Sequence, residues 1–291
     1  MTTWSYALIV AAAVLWGIIS LFVKGLAAYG FTILQIVAIR VALSAIILAL
    51  YIAVKDRSQL RIKLTDAKYF IGTGIFSIAF FNWCYFSAIQ EISVAVAAIL
   101  LYTAPAFVLL LSRLLFGERL TTQKIVALVV TFSGCTLVVG AFPNFQATIS
   151  FYGLAAGLGA GFGYALYSIF GKFALRHCSA MTVTVYTFIF AAAAMLPISG
   201  LWQVKTLLLQ WPAALYAIGF SLFSTVIAYL CYTVALNHIE AGRAAIIATL
   251  EPIVAALVGT MFFGEVLSYW QVSGIVLVIA AVASVQLNNE C

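Results

Sequence analysis

Apolar residues in this chain gather in long unbroken blocks instead of alternating with polar ones. Ten blocks can be marked, at about 4–27, 32–54, 67–89, 93–116, 122–142, 151–172, 181–201, 212–236, 242–263 and 270–287. Most are near twenty residues long, the length a helix needs to cross a hydrocarbon layer about 30 Å thick. They lack the period-two alternation of barrel strands. Each block therefore predicts a spanning helix, because backbone amides in lipid need partners within their own segment. Connections are short except for the polar stretch Lys55 to Lys68, and Pro143-Asn144 marks a junction near the middle. Met1 to Ser5 carries no basic region and the first block contains no A-x-A site. The first helix is thus expected to be retained, not cleaved.

The blocks repeat. Phe116-Gly117-Glu118 recurs 147 positions on as Phe263-Gly264-Glu265, Pro105 as Pro252, and Ala97-Ala98-Ile99 as Ala244-Ala245-Ile246. Tyr85 with Ala88 recurs as Tyr232 with Ala235. With one residue of slippage, Trp16, Ser20, Phe22 and Lys24 correspond to Tyr164, Ser168, Phe170 and Lys172. Each copy holds five blocks, and an odd number of crossings leaves the second copy upside down. The expected fold is an all-α integral membrane protein, ten transmembrane helices as two inverted five-helix repeats, at 1–146 and 147–291. Two inverted halves meeting at the bilayer midplane are the architecture of a carrier.

Composition agrees: 66% hydrophobic and 8% charged residues lie far outside the range of a soluble domain. A net charge of +6 invites a nucleic-acid reading, but the placement of the basic residues rejects it. With the N-terminus inside, the inner loops receive Lys55, Arg57, Arg61, Lys63, Lys68, Arg113, Arg119, Lys124, Lys172, Arg176 and Arg243. The outer side receives only Lys24, Arg40 and Lys205. This bias predicts a multi-pass protein of the cell inner membrane with both termini cytoplasmic. It also places the Glu118 loop inside and the Glu265 loop outside. Cys84, Cys135, Cys178, Cys231 and Cys291 show no CxxC or metal spacing and read as small apolar filler. No cofactor and no metal are expected. The expected partners are a small-molecule substrate and the lipid bilayer, and the chain is expected to be a monomer or weak dimer.

Polar groups within hydrocarbon need a partner, a wet cavity or a task. On helical projection Trp16, Ser20 and Lys24 share a face of the first helix, and Asn82 neighbours Tyr85 in the third. Tyr102 and Pro105 align in the fourth, Gly157, Gly161, Tyr164 and Ser168 in the sixth with Tyr167 adjacent. Tyr229 and Tyr232 align with Thr225 in the eighth, and Thr249 and Glu251 stand beside Pro252 in the ninth. These faces suit a chamber with aromatic walls and a few polar groups. Plain interhelical packing explains any single tyrosine equally well. Asn82 either joins two helices or faces the site. Glu251 either carries a coupling proton or a cation, or meets amides freed near Pro252. Arg40 reads as a structural anchor, Lys24 and Lys172 as gate residues or interfacial anchors. Glu118 and Glu265 each precede a helix, where a carboxylate meets free amides. Pro105 and Pro252 fall in mid-helix and read as a matched pair of hinges. Gly153, Gly157 and Gly161 form overlapping GxxxG spacings that suit either a dimer face or a hinge or cavity wall.

These residues carry a family resemblance. Two five-helix units, Trp16-Gly17 in the first helix, Arg40 in the second, and Leu250-Glu251-Pro252 followed by Phe263-Gly264-Glu265 resemble the EamA-type carriers of the drug/metabolite transporter superfamily. The resemblance covers nearly the whole chain. It implies ten helices in two inverted halves, a cavity bounded by helices 1, 3, 4, 6, 8 and 9, and alternating access. Similar members export amino acids and related metabolites, while relatives carry drugs or nucleotide sugars. The resemblance strengthens a structural role for Glu251 and both Gly-Glu pairs. It leaves substrate choice to Asn82, Tyr85, Tyr102, Tyr164 and Tyr229.

An amino acid or metabolite exporter is thus the leading expectation. Multidrug or organic-cation efflux is the alternative, with a nucleotide-sugar-type exchanger behind it because no lysine pair lies deep in the central helices. An enzyme is not expected: His177 and His238 are the two histidines, neither lies in an HExxH motif, and no paired aspartates lie inside helices. No channel filter is legible either.

Overall fold

Apolar blocks of this length fold as helices, and the computed structural model, which describes residues 2–140 and 150–287, has ten of them. They are α1 (Thr3–Ala28), α2 (Ile33–Lys55), α3 (Leu64–Glu91), α4 (Val94–Phe116), α5 (Thr122–Val138), α6 (Phe151–Ala174), α7 (Ala180–Ser199), α8 (Trp211–Leu236), α9 (Ala241–Phe263) and α10 (Tyr269–Gln286). Nine are long and apolar enough to cross a membrane, and α5 is a shorter apolar helix. The blocks read from sequence match within a few residues. The Pro143-Asn144 junction and Cys291 lie outside the described residues.

Local chemistry sets the helix ends. Thr32 and Gln35 form a reciprocal capping box at the start of α2. Ser93, Thr121, Ser150 and Ser179 each accept an amide of the first turn that follows. The repeated Phe-Gly-Glu motif ends α4 and α9. Gly117 (φ 70°) and Gly264 (φ 68°) adopt the left-handed conformation that residues with a Cβ avoid. That turn brings the Glu118 amide back to the Ser112 carbonyl and the Glu265 amide back to that of Gly259.

The two halves deviate from regular helix at matched places. α3 contains a π-helical stretch at Ile71–Ala79, and α8 contains one at Leu222–Ile227. α4 breaks at Tyr102-Thr103 and α9 at Thr249-Leu250. This corrects the expectation for the prolines. Pro105 and Pro252 do not kink a continuous helix; each sits in the first turn of a new one, Ala104–Phe116 or Glu251–Phe263. A missing N–H there costs nothing, since first-turn amides have no partner within the helix.

Packing follows the repeat. α3 lies on α6 as α8 lies on α1, and α4 lies on α6 as α9 lies on α1. α2 packs on α7 and α5 on α10, each helix meeting its own counterpart. The inversion is visible at α9. The amides of Ala241 and Gly242 at its start bond to Glu118, while Glu265 follows its end. The two Gly-Glu turns are therefore separated by the length of one spanning helix, roughly 34 Å at 1.5 Å per residue. They lie on opposite faces of the bundle.

The glycine stripe of α6 is spent within the protomer, not on a dimer face. Gly153 packs on Ile92, Gly157 on Leu100, and Gly161 on the backbone of the α4 break. A Cβ at Gly161 would stand 2.6 Å from Thr103 Oγ1 and 2.8 Å from the Leu100 carbonyl oxygen. Backbone cannot yield as a flexible side chain does. Gly161→Val is expected to destabilise the fold by about 1–3 kcal/mol. Thermal melting of the purified variant checks this, and an unchanged melting temperature would contradict so close an approach.

Candidate functional site

The matched breaks and π-helical stretches surround an aromatic centre. Trp16 of α1 meets Tyr229 edge-on at 5.2 Å and 71°, with Tyr232 at 5.3 Å and Tyr164 at 6.4 Å. Tyr167 meets Tyr229 at 5.0 Å, and Phe81 meets Tyr164 at 5.6 Å. Hydroxyls tie the rings together: Ser168 Oγ lies 2.7 Å from Tyr232 OH, and Tyr167 OH lies 2.6 Å from Thr233 Oγ1. The Tyr164 hydroxyl points to Glu251 Oε2 at 3.5 Å.

Two adjoining lobes lie among these residues. One, of about 20 Å³, is walled by Tyr102, Pro105, Val108, Thr249 and Glu251. The other, of about 10 Å³, is walled by Trp16, Ser77, Phe81, Tyr167 and Tyr229. Tyr164, Ser168 and Tyr232 border both. Each is a slit with room for water-sized solutes, so a metabolite enters only if the walls part.

Of the residues singled out from sequence, the structure gathers Trp16, Tyr102, Pro105, Tyr164, Ser168, Tyr229, Tyr232 and Glu251 around this space. Ser20, Asn82, Tyr85 and Pro252 are not among its walls. The Asn82 amide donates to the Ile78 carbonyl of its own helix at 2.7 Å. Tyr85 lies against Phe81 and Phe86. Ser20 lies one turn beyond Trp16. Arg40 is buried with its guanidinium 5.4 Å from the Phe220 ring and in electrostatic reach of Tyr229, Glu251 and Tyr164. Glu251 takes the Tyr164 hydroxyl and not amides near Pro252, because the amides of Thr249, Leu250, Ile253 and Val254 bond to the carbonyls of Ile246, Ile247 and Leu250. Ser77 and Phe81 escaped the sequence reading. The signal for Ser77 was present, since it recurs 147 positions on as Ser224 and both fall in the π-helical stretches.

The repeated Gly-Glu turns form two related locks of unequal strength. Glu118 caps a helix, as a carboxylate before a helix can, but the helix is α9 of the opposite half and not the α5 that follows it. Its Oε1 accepts from Ala241 N at 2.9 Å and from Lys172 Nζ at 3.0 Å, and its Oε2 from Gly242 N at 3.2 Å. Lys172 also donates to the Ile239 carbonyl at 2.9 Å. Beside it Glu240 pairs with Lys124 at 2.8 Å and with Arg243 at 2.9 Å. On the other face the corresponding pair is Lys24 with Glu265 at 3.3 Å, and both side chains are more than half exposed. A cleft of about 500 Å³ opens on that face between the start of α2 and the end of α3, walled by Thr32, Trp83, Phe86 and Gln90.

Burial pushes the Glu118 carboxyl up, yet Lys172 and the two amides outweigh it and hold the group below its ordinary value. A carboxylate depressed in the folded protein contributes stability above its unfolded pKa, about 4.3, and loses it as pH falls through the folded value. The lock is therefore expected to stay shut from neutral pH down to about pH 5 and to loosen only in stronger acid. Maleimide labelling of a cysteine placed behind it, followed against pH, checks this. Opening near neutrality would contradict it.

Ten apolar helices among the described residues, nine of them long enough to cross a membrane, form two antiparallel copies closed about a central polar–aromatic chamber and define a multi-pass membrane transporter. The chain belongs to the EamA-like transporter family, which matches residues 3–140 and again 151–286. An uncharacterized transporter of Archaeoglobus fulgidus is 31% identical over 212 residues, 72% of this chain and 74% of that protein. The threonine/homoserine exporter RhtA of Salmonella typhimurium is 28% identical over 206 residues, 70% of this chain and 66% of the exporter. A crystal structure at 18% identity shares the fold, with a TM-score of 0.81 over 98% of this chain and 96% of the other.

Proposed function

We propose that this protein is a secondary transporter that exports amino acids or closely related small metabolites across the cell inner membrane by alternating access. The observation that carries the mechanism is the inequality of the two locks. The Glu118 face is sealed by a partly buried pair, two helix amides and a neighbouring ion cluster, while among the described residues the Glu265 face is joined by one exposed ion pair, whose Lys24 Nζ also lies 3.5 Å from the centre of the Phe263 ring. Related sequence in the two halves favours the same lock at each face, so a structure with one tight and one loose is one of two alternating states. The excess of basic residues on the Glu118 face supports a cytoplasmic assignment for it and for both termini. On that assignment the protein is sealed inward and loosened outward. The cargo class is favoured by the chamber's aromatic walls and lone acid, and by RhtA as a relative.

Purified protein in liposomes is expected to exchange external labelled L-threonine or another L-amino acid for the same compound trapped inside, saturably and without a voltage. Failure of all twenty amino acids to exchange would overturn the cargo class. Organic-cation efflux is the second reading, favoured by Glu251 among tyrosine rings. It predicts that Glu251→Gln abolishes flux of tetraphenylphosphonium and spares neutral amino acids.

A further inference from the structure

The two lobes of the chamber carry opposite unmet needs. In the lobe beside Trp16 the hydroxyls of Ser168, Tyr232, Tyr167 and Thr233 bond to one another. Trp16 Nε1 and Ser77 Oγ belong to residues that border that lobe and are more than nine-tenths buried, and neither atom has a hydrogen-bond partner among the described residues. Arg40 Nε is likewise sealed in and unpartnered. A buried donor without an acceptor is costly, so such groups survive in a membrane core chiefly where something else meets them. What they lack is an acceptor. The other lobe lacks a donor: Glu251 has only the long contact from Tyr164 at 3.5 Å.

We infer that the transported solute is a zwitterion lying across both lobes. Its ammonium group rests against Glu251 and Thr249, and its carboxylate accepts from the Trp16 indole N–H and the Ser77 hydroxyl. Arg40 supplies the favourable field from the second helix. This rests on the carrier reading above and deepens it by assigning the ends of the substrate. Charge balance selects the same class. Arg40 and Glu251 are one positive and one negative group within electrostatic reach of each other. A solute of zero net charge preserves that balance. A cation or an anion adds an uncompensated charge to a low-dielectric site, the costliest addition available there. The side chain of the solute meets the rings of Tyr102 and Tyr164, which tolerate varied apolar shapes.

The test uses whole protein in liposomes and three probes each of L-threonine, L-leucine and L-phenylalanine: the free amino acid, its cationic methyl ester and its anionic N-acetyl derivative. At least one free amino acid is expected to exchange at a concentration about 10-fold below that needed for either derivative. This arm requires no variant. Trp16→Phe keeps a ring and removes the donor, and Ser77→Ala removes the other. Each is expected to weaken the free amino acid about 10-fold while leaving its methyl ester unchanged. Glu251→Gln is expected to weaken the free form and the ester and spare the N-acetyl derivative. If free amino acids exchange but all three forms compete equally, or Trp16→Phe weakens all three alike, the zwitterion assignment is wrong and the carrier reading stands. If no free amino acid exchanges, whether or not tetraphenylphosphonium does, the amino-acid reading falls and this assignment with it.

Discussion

Glu118→Gln is expected to unseal its face of the protein, whereas Glu265→Gln changes transport by less than about twofold. The two residues occupy the same place in the repeat, so sequence alone predicts equal effects. Their surroundings do not. Glutamine at 118 leaves Lys172, whose side chain is only 23% exposed, without its counter-charge, and gives the α9 amides a neutral acceptor in place of a carboxylate. Removing one partner of such a pair costs on the order of 3 kcal/mol, enough to shift an equilibrium between two states about 100-fold. The Lys24–Glu265 pair is more than half exposed on both sides, where ion pairs contribute about 0–1 kcal/mol. Maleimide labelling of a cysteine at Ser168, applied from the Glu118 side, reads the outcome directly. Equal labelling in both glutamine variants would show that the locks are equivalent and the asymmetry inconsequential.

Trp16→Ala is the second large effect. The indole contacts three tyrosines from α6 and α8 while being 6% exposed, and nothing nearby is free to fill the space it leaves. Truncating a buried aromatic side chain of this kind costs about 3–5 kcal/mol. The melting temperature of the purified protein is expected to fall sharply, and transport to be lost with it. Trp16→Phe, which retains most of the ring contacts, is expected to melt close to the parent. If alanine and phenylalanine melt alike, the aromatic cluster is not what holds α1 against α8.

The fold was largely legible because lipid leaves few choices. A block of about twenty apolar residues has one way to satisfy its backbone, and the 147-residue repeat fixed how the blocks pair. The lengths of α2, α4 and α9 follow from hydropathy alone. The matched breaks did not. Proline in mid-block signals lost backbone bonding, but the sequence does not say whether a helix bends or stops and restarts, since both satisfy the amides. Trp16, Tyr164 and Ser168 border the chamber, as their projected helical faces suggested, because their spacing is that of a regular helix. Ser77 was missed because the π-helical stretch around it shifts the register on which such projections rely. Asn82 differs: its depth suited either a bridge between helices or a place in the site, and its amide bonds to a carbonyl one turn back in its own helix. The partner of Glu118 was illegible for a different reason. A carboxylate just before a helix has a ready local use, and only tertiary structure shows that it serves α9 from the other half.

One experiment bears on the antiparallel arrangement itself. Arg119 and Val266 are exposed neighbours of the two glutamates, each suited to a single cysteine in a background whose five native cysteines have been replaced. A membrane-impermeant maleimide added to intact cells and to inverted vesicles is expected to label Val266→Cys only in the cells and Arg119→Cys only in the vesicles. Labelling of both positions from the same side would mean that the halves run parallel, and neither the paired locks nor the shared chamber would survive that result.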